Sequence, residues 1–296
     1  MAISRHQLVK ELEPGLNALF GLEYNRYDNQ HAEIYTSESS DRAFEEEVML
    51  SGFGNASVKS EGSGVAFDNA QESYSARYTH ETVALAFAIT EEAIEDNLYD
   101  RISSRYTKAL ARSMSNTKQV KAAAPLNNGL PSVDGFDSGD GVSLFNTSHT
   151  TVSGTSVKNT LSTQADLNET SLEQAMIDIS GMTDERGLRI AAKAVKMIVP
   201  SANQFQAERL MKSQGRVGTA DNDINALGSM GMIPQGYRVN NFLTDTDSFY
   251  IITDVPNGMK MFTRAPLTTA MEGDFDTGNV RYKARERYSF GVSDPR

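Results

Sequence analysis

The 296-residue chain contains no cysteine and no tryptophan, and it is short of positive charge. Without cysteine it has no disulfides, thiol nucleophiles or cysteine-ligated metals, which excludes a small disulfide-stabilised secreted scaffold. It has 28 basic and 39 acidic side chains, for a net charge of −11. General nucleic-acid binding needs a positive surface that displaces counterions, so this balance argues against it. No apolar run approaches the ~20 residues of a membrane span, and the N-terminal residues lack the features of a secretory signal.

Motifs for catalysis and for metal or nucleotide binding are also missing. The chain has four histidines: His6, His31, His80 and His149. None has metal-site spacing, and HExxH, GxxxxGK[ST] and GxSxG are all absent. Residues 221–225 resemble the first half of a calcium loop, but Ala226 and Met232 replace the required glycine and glutamate. We therefore predict no catalytic residue, cofactor or metal site, and we interpret His149 as a loop histidine that makes a hydrogen bond.

The most distinctive feature present is a predicted helix over residues 90–124, which at about 1.5 Å per residue would be roughly 50 Å long. Thr90 is the expected N-cap, and Pro125 is expected to end the helix. A stripe that recurs every four residues is expected to be buried: Ile94, Leu98, Ile102, Tyr106 and Leu110. Because the stripe thins after Leu110, we expect the second half to be less buried or to pack against small-residue surfaces, and it is a candidate for contact with another subunit. The helix is interpreted as the spine of a flat subunit.

Two segments before this helix have too little apolar area to fold alone. Residues 1–44 predict an arm with a short amphipathic helix broken at residues 14–15, and then a tyrosine-rich stretch. The apolar positions of that helix are Leu8, Leu12, Leu16, Leu19 and Phe20. Residues 45–82 predict a two-stranded ribbon with a glycine-rich tip, and Tyr74, Ala76 and Tyr78 share one face. An isolated ribbon is marginal in water, so we expect the arm and the ribbon to lie on a neighbouring subunit. A disordered arm remains the alternative.

The rest of the chain predicts mixed α and β elements. Residues 83–89, VALAFAI, are expected to form a strand buried on both sides. A loop region with a weak strand at 142–145 leads to a helix at 168–183, capped by Asn168 and placed beside the spine. A small α+β unit follows. It has a strand at 190–199, a helix at 202–214 that Ser201 caps and that turns Phe205, Leu210 and Met211 inward, and short strands at 237–239, 249–252 and 260–263.

The last strand, 280–290, shows strict two-residue alternation, with Val280, Tyr282, Ala284, Tyr288 and Phe290 on one face. Its basic face consists of Arg281, Lys283, Arg285 and Arg287. Two interpretations stay open, a solvated sheet face and an inter-subunit face that meets carboxylates of the same acidic chain. A nucleic-acid groove is the least favoured, because the chain is acidic and this face has no interleaved aromatic residues.

Five stretches of sequence carry a resemblance to a known family. They are residues 15–24, 142–151, 193–213, 240–267 and 280–296, which read GLNALFGLEY, VSLFNTSHTT, KAVKMIVPSANQFQAERLMKS, NNFLTDTDSFYIITDVPNGMKMFTRAPL and VRYKARERYSFGVSDPR. In this order, and with the succession of arm, ribbon, spine helix and α+β unit, the chain resembles the major capsid protein of tailed bacteriophages. It is similar to Mu-type head subunits with the Hong Kong 97-type shell fold.

The resemblance implies an α+β fold with four parts: an N-terminal arm (1–44), an extended loop (45–82), a peripheral domain (83–190 and 265–296) around the spine helix, and an axial domain (191–264). It implies a structural protein of the virion, not an enzyme. Such a protein is assembled in the bacterial cytoplasm into pentamers and hexamers of an icosahedral shell around packaged double-stranded DNA. The implied partners are copies of itself, portal, scaffolding or decoration proteins, and DNA contacted non-specifically, with no membrane.

We expect inter-subunit contacts at the aromatic, ribbon and basic positions: Phe20, Tyr24, Tyr27, Phe53, Lys59, Phe67, Tyr74, Tyr78, Arg281, Lys283, Arg285 and Arg287. Some relatives form lysine–asparagine cross-links near the position of Lys59, but we predict none here because no partner set is visible. Two other functions remain: an encapsulin-like shell that encloses cargo proteins and, more remotely, a carboxylate- or metal-dependent hydrolase.

Overall fold

The computed structural model describes residues 5–90, 92, 99–131, 136–216, 223–274 and 278–296, and shows a mixed α+β fold. The helices are α1 (Arg5–Tyr24), α2 (Tyr99–Asn127), α3 (Glu169–Ser180), α4 (Gln204–Lys212) and α5 (Ala226–Met230). Short 3₁₀ turns span Gln30–Glu33 and Ser201–Asn203. The strands are β1 (Thr36–Ser39), β2 (Phe44–Leu50), β3 (Glu72–Thr79), β4 (Glu81–Ile89), β5 (His149–Thr150), β6 (Ser156–Val157), β7 (Ala194–Val199), β8 (Tyr237–Val239), β9 (Tyr250–Thr253), β10 (Met259–Gly273) and β11 (Val280–Val292).

The larger sheet has the strand order β1-β10-β11-β4. β10 and β11 form a long antiparallel pair, β4 runs antiparallel to β11, and β1 runs parallel to β10. The predicted alternation of the last strand is confirmed, because Val280, Tyr282 and Ala284 are buried and the residues between them are exposed. In a strand, successive side chains point to opposite faces, so this pattern places one face against a core and the other toward solvent.

The strand at 83–89 is an edge strand and is not buried on both sides, so that prediction is wrong. Val83 and Phe87 are half-buried against the core, whereas Ala84, Ala86 and Ala88 are exposed. The prediction was based on the sequence of residues 83–89, which contains no charged or polar residue, as in a strand covered on both faces. The alanines are exposed because, among the described residues, β4 has a neighbouring strand on one side only and its outer face is uncovered.

The N-terminal helix packs on its own chain and is not broken at Pro14. Leu16 and Phe20 are buried in one cluster with Leu110 and Met114 of α2. The side chains of Leu8 and Leu12 lie outside the described part. Interior proline costs about 3 kcal/mol in a helix. Burial of the apolar residues that follow offsets this cost, since fully burying one such side chain contributes about 1.5–3 kcal/mol.

The spine helix extends past Pro125 to Asn127, three residues beyond the predicted end. Two hydrogen bonds hold this end: the Tyr250 hydroxyl donates to the helix carbonyl of Leu126 at 3.0 Å, and the side chain of Asn127, the last helix residue, donates to the carbonyl of Phe242 at 3.0 Å. The Tyr250 hydroxyl thus satisfies one of the carbonyls that a helix end leaves open, and Asn127 ties the end to residue 242. The predicted cap interactions of Thr90 and the burial of Ile94, Leu98 and Ile102 fall outside the described residues or side chains.

The expectation that the second half of α2 is less buried is wrong, and the alternative of close packing through small residues is confirmed. Tyr106 is 54 % exposed, whereas the second half buries a stripe of small, polar and apolar residues: Leu110, Ala111, Met114, Ser115, Gln119, Ala122, Ala123 and Leu126. The small residues let the arm and the sheet approach the helix closely. Hydrophobic periodicity does not predict such a buried face, because alanine and serine allow close packing but bury little apolar area.

The tyrosine-rich part of the arm covers this second half of α2, so it is neither disordered nor dependent on a neighbour for its packing. The His31 backbone N–H donates to Gln119 Oε1 at 3.0 Å, and Tyr35 donates its hydroxyl proton to the carbonyl of Ala122 at 2.7 Å. Burial lowers the pKa of His31 to about 4, which keeps its ring neutral.

The base of the predicted ribbon is formed by the antiparallel pair β2–β3, and it rests on the chain's own C-terminal strand. As predicted, Ala76 and Tyr78 are buried on the face that Tyr74 shares. The Tyr78 hydroxyl lies 2.5 Å from Ser293 Oγ, and the Tyr74 hydroxyl donates to the Ser293 carbonyl at 3.2 Å. A Cβ at Gly291 would lie 2.5 Å from the Tyr78 ring, so only glycine allows this approach.

The smaller α+β unit is built on the three-stranded sheet β8-β7-β9. Asn168 caps α3 as predicted, with a reciprocal bond to Ser171. However, α3 does not pack beside the spine: Leu172 and its other buried residues share a core with β7 and α4. The strand predicted at 260–263 belongs to β10, and therefore to the larger sheet.

The helix after β7 also differs from the prediction. Ser201 begins a 3₁₀ turn and does not cap α4, whose N-cap residue is Asn203. Phe205 is exposed, whereas Leu210 is buried as expected. Residues 142–145 form an isolated bridge and no strand.

Candidate assembly surfaces

Two of the predicted contact residues, Phe20 and Tyr78, lie in the chain's own core, each 2 % exposed. They have no surface to offer to a neighbour in this conformation, so the structure contradicts that part of the prediction. Aromatic residues in a polar arm suggested docking on another subunit, but here they fill the space between the arm, the ribbon base and the sheet. Tyr74 bonds to the C-terminal strand in the same way.

Tyr24 and Tyr27 also bond within the chain, and Tyr24 leads to a buried charge that sequence reasoning missed. Glu286 stands on the apolar face of β11, 2 % exposed, and its Oε2 lies 3.3 Å from Lys118 Nζ and 3.5 Å from the Tyr24 hydroxyl. Its Oε1 has no partner in the described part of the chain. Burial raises the pKa of Glu286, and Lys118 opposes that shift. The sequence does indicate this buried charge, because Glu286 is an acidic residue at one of the apolar-face positions of the alternating strand.

The ribbon tip is the most exposed apolar part of the described chain. Val58 and Phe67 are 98 % and 97 % exposed, and Phe53 and Val65 are also largely exposed. The tip is held at its root only: Asp68 accepts a hydrogen bond from the Gly54 backbone at 2.7 Å and pairs with Arg186 at 2.8 Å. The exposed predicted residues here are therefore Phe53, Lys59 and Phe67.

The basic row stands on the outer face of the larger sheet. Arg281 pairs with Asp274, whereas Lys283 and Arg285 form no ion pair within the described ranges. The β4 residues opposite the row are Ala88, Ala86, Ala84 and Thr82, and those on β10 are Glu272, Ala270, Thr268 and Ala265. The neighbours of Lys283 and Arg285 are alanines and one threonine and leave both cations exposed, so this part of the face can meet a negatively charged surface.

At the end of this row, Arg287 and Arg264 are half-buried, and their Nε atoms lack hydrogen-bond partners in the described part. Arg264 stands at a bulge of β10, where bulges commonly re-aim a side chain. Both cations lie near His80, which bonds to Ser289 Oγ and Ser40 Oγ at 2.9 Å each. Burial and the charge of Arg287 lower the pKa of His80.

The His80 cluster has the residue types of a hydrolase but not the arrangement. Ser40 donates to Glu45 at 2.7 Å, so it accepts from His80 Nε2, and Nδ1 is left to accept from Ser289. The Glu45 carboxylate therefore accepts a hydrogen bond from Ser40 and none from His80. In a catalytic triad the carboxylate bonds to the histidine, and the histidine accepts the serine proton. Ser40, His80 and Ser289 are only 5–6 % exposed and do not line an open site. The cluster ties the β1–β2 loop to β3 and β11.

His149 bonds as predicted: its Nδ1 lies 2.7 Å from Asp140 Oδ2 in a buried loop. No set of three or more histidine, aspartate or glutamate side chains suited to a metal ion occurs among the residues described here. Asp221 and Asn222 of the calcium-like segment lie outside them. None of the helices searched in that same part combines the length and apolar character needed to span a bilayer.

A cavity of about 560 Å³ lies between the end of α2, α3 and β9, and sequence reasoning did not foresee it. Its lining is mixed: apolar residues such as Leu126, Phe145 and Ile179 stand beside polar and charged ones. At its rim Arg296 Nε donates to Asp294 at 2.8 Å, so these two charges satisfy each other.

A family model described as phage capsid protein matches residues 73–296, well over half of the chain. The chain belongs to this family. No curated protein matches the sequence. As a family member it is a structural protein of a capsid shell, built from copies of itself, and its place is the virion.

Solved capsid structures show the same fold at low sequence identity. A virus-like particle from Pyrococcus furiosus aligns over 95 % of this chain and 94 % of its own, with TM-score 0.50 and 11 % identity. The capsid of an empty GTA particle aligns over 91 % and 88 %, with TM-score 0.53 and 16 % identity. The capsid of Myoviridae phage XM1 aligns over 88 % and 86 %, with TM-score 0.51 and 13 % identity. This capsid protein therefore has the Hong Kong 97-type fold that its sequence predicted.

Proposed function

We propose that this major capsid protein assembles into pentamers and hexamers that form an icosahedral shell around packaged double-stranded DNA. The observation that carries the proposal is the ribbon tip, where Val58 and Phe67 are almost fully exposed. Soluble monomers rarely expose contiguous apolar surface without a partner for it. A projecting apolar tip on an otherwise packed subunit fits a protein that completes its burial by association with other copies.

The parts of the subunit take the roles that the family resemblance implied, with two adjustments to the proposed domains. The arm (1–44) and the extended loop (45–82) are kept. The axial domain gains α3, because that helix shares the core of β7 and α4. The peripheral domain gains the start of β10, because this strand pairs with β11 along its length.

Phe53, Lys59 and Phe67 remain proposed inter-subunit contacts, as do the exposed cations Lys283 and Arg285. We keep Arg281 and Arg287 as contacts at the two ends of the row. Tyr24, Tyr27 and Tyr74 act through the conformation of the arm and the ribbon base. Portal, scaffolding or decoration proteins and non-specifically contacted DNA are the further partners, and assembly takes place in the bacterial cytoplasm.

An encapsulin-like compartment is the second candidate, and the likeness in fold to the Pyrococcus furiosus virus-like particle favours keeping it. Negative-stain microscopy of the purified chain tests the shell itself, and a strictly monomeric, particle-free sample would contradict it. The contents of particles from the native host decide between the two functions. Nuclease-protected double-stranded DNA supports the phage head, and a stoichiometric enzyme inside supports the compartment.

A further inference from the structure

The cavity of about 560 Å³ runs along the free edge of β9. Residues 249–253, which include this strand, all contribute to its lining. Successive residues of a strand point to opposite faces, so one cavity can touch all five only if it lies at the edge of the strand. Within the described residues β7 is the only strand that pairs with β9, which leaves the other edge unpaired on the cavity side.

The size and shape of this cavity suit one elongated small molecule. Ligand pockets in proteins usually measure about 300–1,000 Å³, and this volume lies within that range. Five residues of extended strand span roughly 16 Å, so the cavity is longer than it is wide. Its apolar walls come from two cores, because Ala175 and Ile179 belong to the core of the smaller α+β unit, and Leu126 and Phe145 to a core of the larger sheet.

The charged part of the lining is mainly acidic. Five aspartates and only two cations, Lys158 and Arg296, line the cavity. Lys158 pairs with Asp178 at 2.8 Å, and Arg296 pairs with Asp294 at 2.8 Å. Each of these pairs is neutral, so the remaining aspartates leave the cavity with an excess of negative charge.

The aspartates without a cation lie close together at the mouth of the cavity. They are Asp166, Asp245 and Asp247, all exposed, and in the described part of the chain no lysine or arginine pairs with them. A side-chain hydrogen bond with Asp247 raises the pKa of Asp245, and the charge of Asp166 acts in the same direction. No set suited to a metal ion occurs in the described ranges, these three residues included. An organic cation would therefore relieve the repulsion between the carboxylates.

The wall of the cavity also offers hydrogen-bond acceptors. Asp178 Oδ2 is buried and lies close to Lys158, yet no donor in the described part of the chain is aligned for a hydrogen bond to it. The free edge of β9 presents backbone carbonyl groups. An ammonium or guanidinium group carries several N–H donors and no acceptor, so it complements both the charge and the hydrogen-bonding groups of this site.

We propose that this cavity binds a small organic cation, an ammonium or guanidinium group on an unbranched apolar body. The cationic group lies among Asp166, Asp245 and Asp247, and the body extends along β9 between α3 and the end of α2. The inference goes beyond the proposed shell function and does not depend on it, because one subunit supplies the whole lining. A bound ligand contacts both cores and stabilises the folded subunit in proportion to its affinity.

Isothermal titration of dilute, unassembled subunits with three probes of equal chain length is the deciding test. Octylammonium, 1-octanol and octanoate share one apolar body and are cationic, neutral and anionic. The proposal predicts a single saturable site, with octylammonium binding most tightly and octanoate most weakly. Octanoate binding as tightly as octylammonium, or no saturable binding of octylammonium, overturns it. Because the subunits are unassembled, a failure of the shell function leaves this result unaffected.

Variants of the lining locate the two ends of the ligand. Asp245→Asn with Asp247→Asn should weaken octylammonium binding about three- to tenfold and leave 1-octanol binding unchanged, since exposed ion pairs contribute modestly. Asp41→Asn with Glu61→Gln is the matched control, because it removes the same charge from exposed positions outside the cavity. An equal effect in both double variants contradicts the proposal. Ala175→Leu extends a side chain into the cavity and should weaken both probes, and a folded Ala175→Leu protein that binds both normally overturns the location.

Discussion

Replacing Lys118 by methionine should destabilise the subunit more strongly at pH 8 than at pH 5. The substitution keeps an unbranched stem but removes the only cation that pairs with Glu286 among the described residues. Glu286 is 2 % exposed, so it would remain as a buried carboxylate without a counter-charge. Breaking a buried pair in this way costs about 3–5 kcal/mol.

The pH dependence follows from the direction of the pKa shift. Burial already raises the pKa of Glu286 above its unfolded value, and loss of Lys118 raises it further. The folded state then holds a proton that the unfolded state releases, so stability falls as pH rises from the unfolded pKa through the folded one. Protonating Glu286 in the folded variant costs less at pH 5 than at pH 8, so the loss of stability is expected to be smaller at pH 5.

Urea unfolding of dilute, unassembled subunits measures the effect. Lys121→Met is the matched control, since Lys121 lies on the same helix but pairs with the exposed Glu81, and surface pairs contribute about 0–1 kcal/mol. Adding Glu286→Gln to Lys118→Met should restore most of the lost stability. A loss no larger than that of the control, or one that is equal at both pH values, would refute the reasoning.

Four further outcomes are expected. Deleting residues 52–68 should leave a folded subunit, since the ribbon base is held by the C-terminal strand, but should abolish stable shells in electron micrographs; normal shells would contradict the role of the tip. Gly291→Ala should cost about 1–3 kcal/mol by overpacking against the Tyr78 ring, measured by urea unfolding against Gly273→Ala, where a Cβ meets no atom within 4 Å. Charge reversal at Lys283 and Arg285 should change subunit stability by less than about 0.5 kcal/mol, because both are exposed, yet should reduce particle yield or DNA retention; unchanged particles would show a merely solvated face. Because the folded pKa of His31 is about 4, its contribution to stability should be complete above pH 6.5 and be lost as the pH falls toward 4, and His31→Gln should flatten that part of the stability curve relative to the unaltered chain.

Features that depend on short-range chemistry were predictable from the sequence. The alternation of β11 follows from a period of two, and the cap of α3 follows from an asparagine three residues before Ser171. The protruding, glycine-rich tip was predictable as well, because residues 51–71 cannot bury enough apolar area to pack. The family resemblance added the fold as a whole, which the family match and the solved capsids confirm.

Features that depend on what a segment packs against were not predictable. VALAFAI has the composition of a central strand, but its position at the sheet edge exposes the alanines. The second half of α2 looked weakly apolar, although its small side chains make it the closely packed half. Pro14 and Pro125 stay inside helices because residues far away in the chain bury the turns that follow them.

Some features of the candidate surfaces were also predictable from the sequence, and others depended on the tertiary structure. The sequence alone determined that the chain would carry an exposed tip and a row of cations, since glycine content and alternating charge are local properties. Tertiary structure decided which aromatic residues are free to meet a neighbour and that β4 presents an open backbone edge. Burial and strand order depend on contacts between residues as far apart as Tyr24 and Glu286, and no local pattern specifies such a contact.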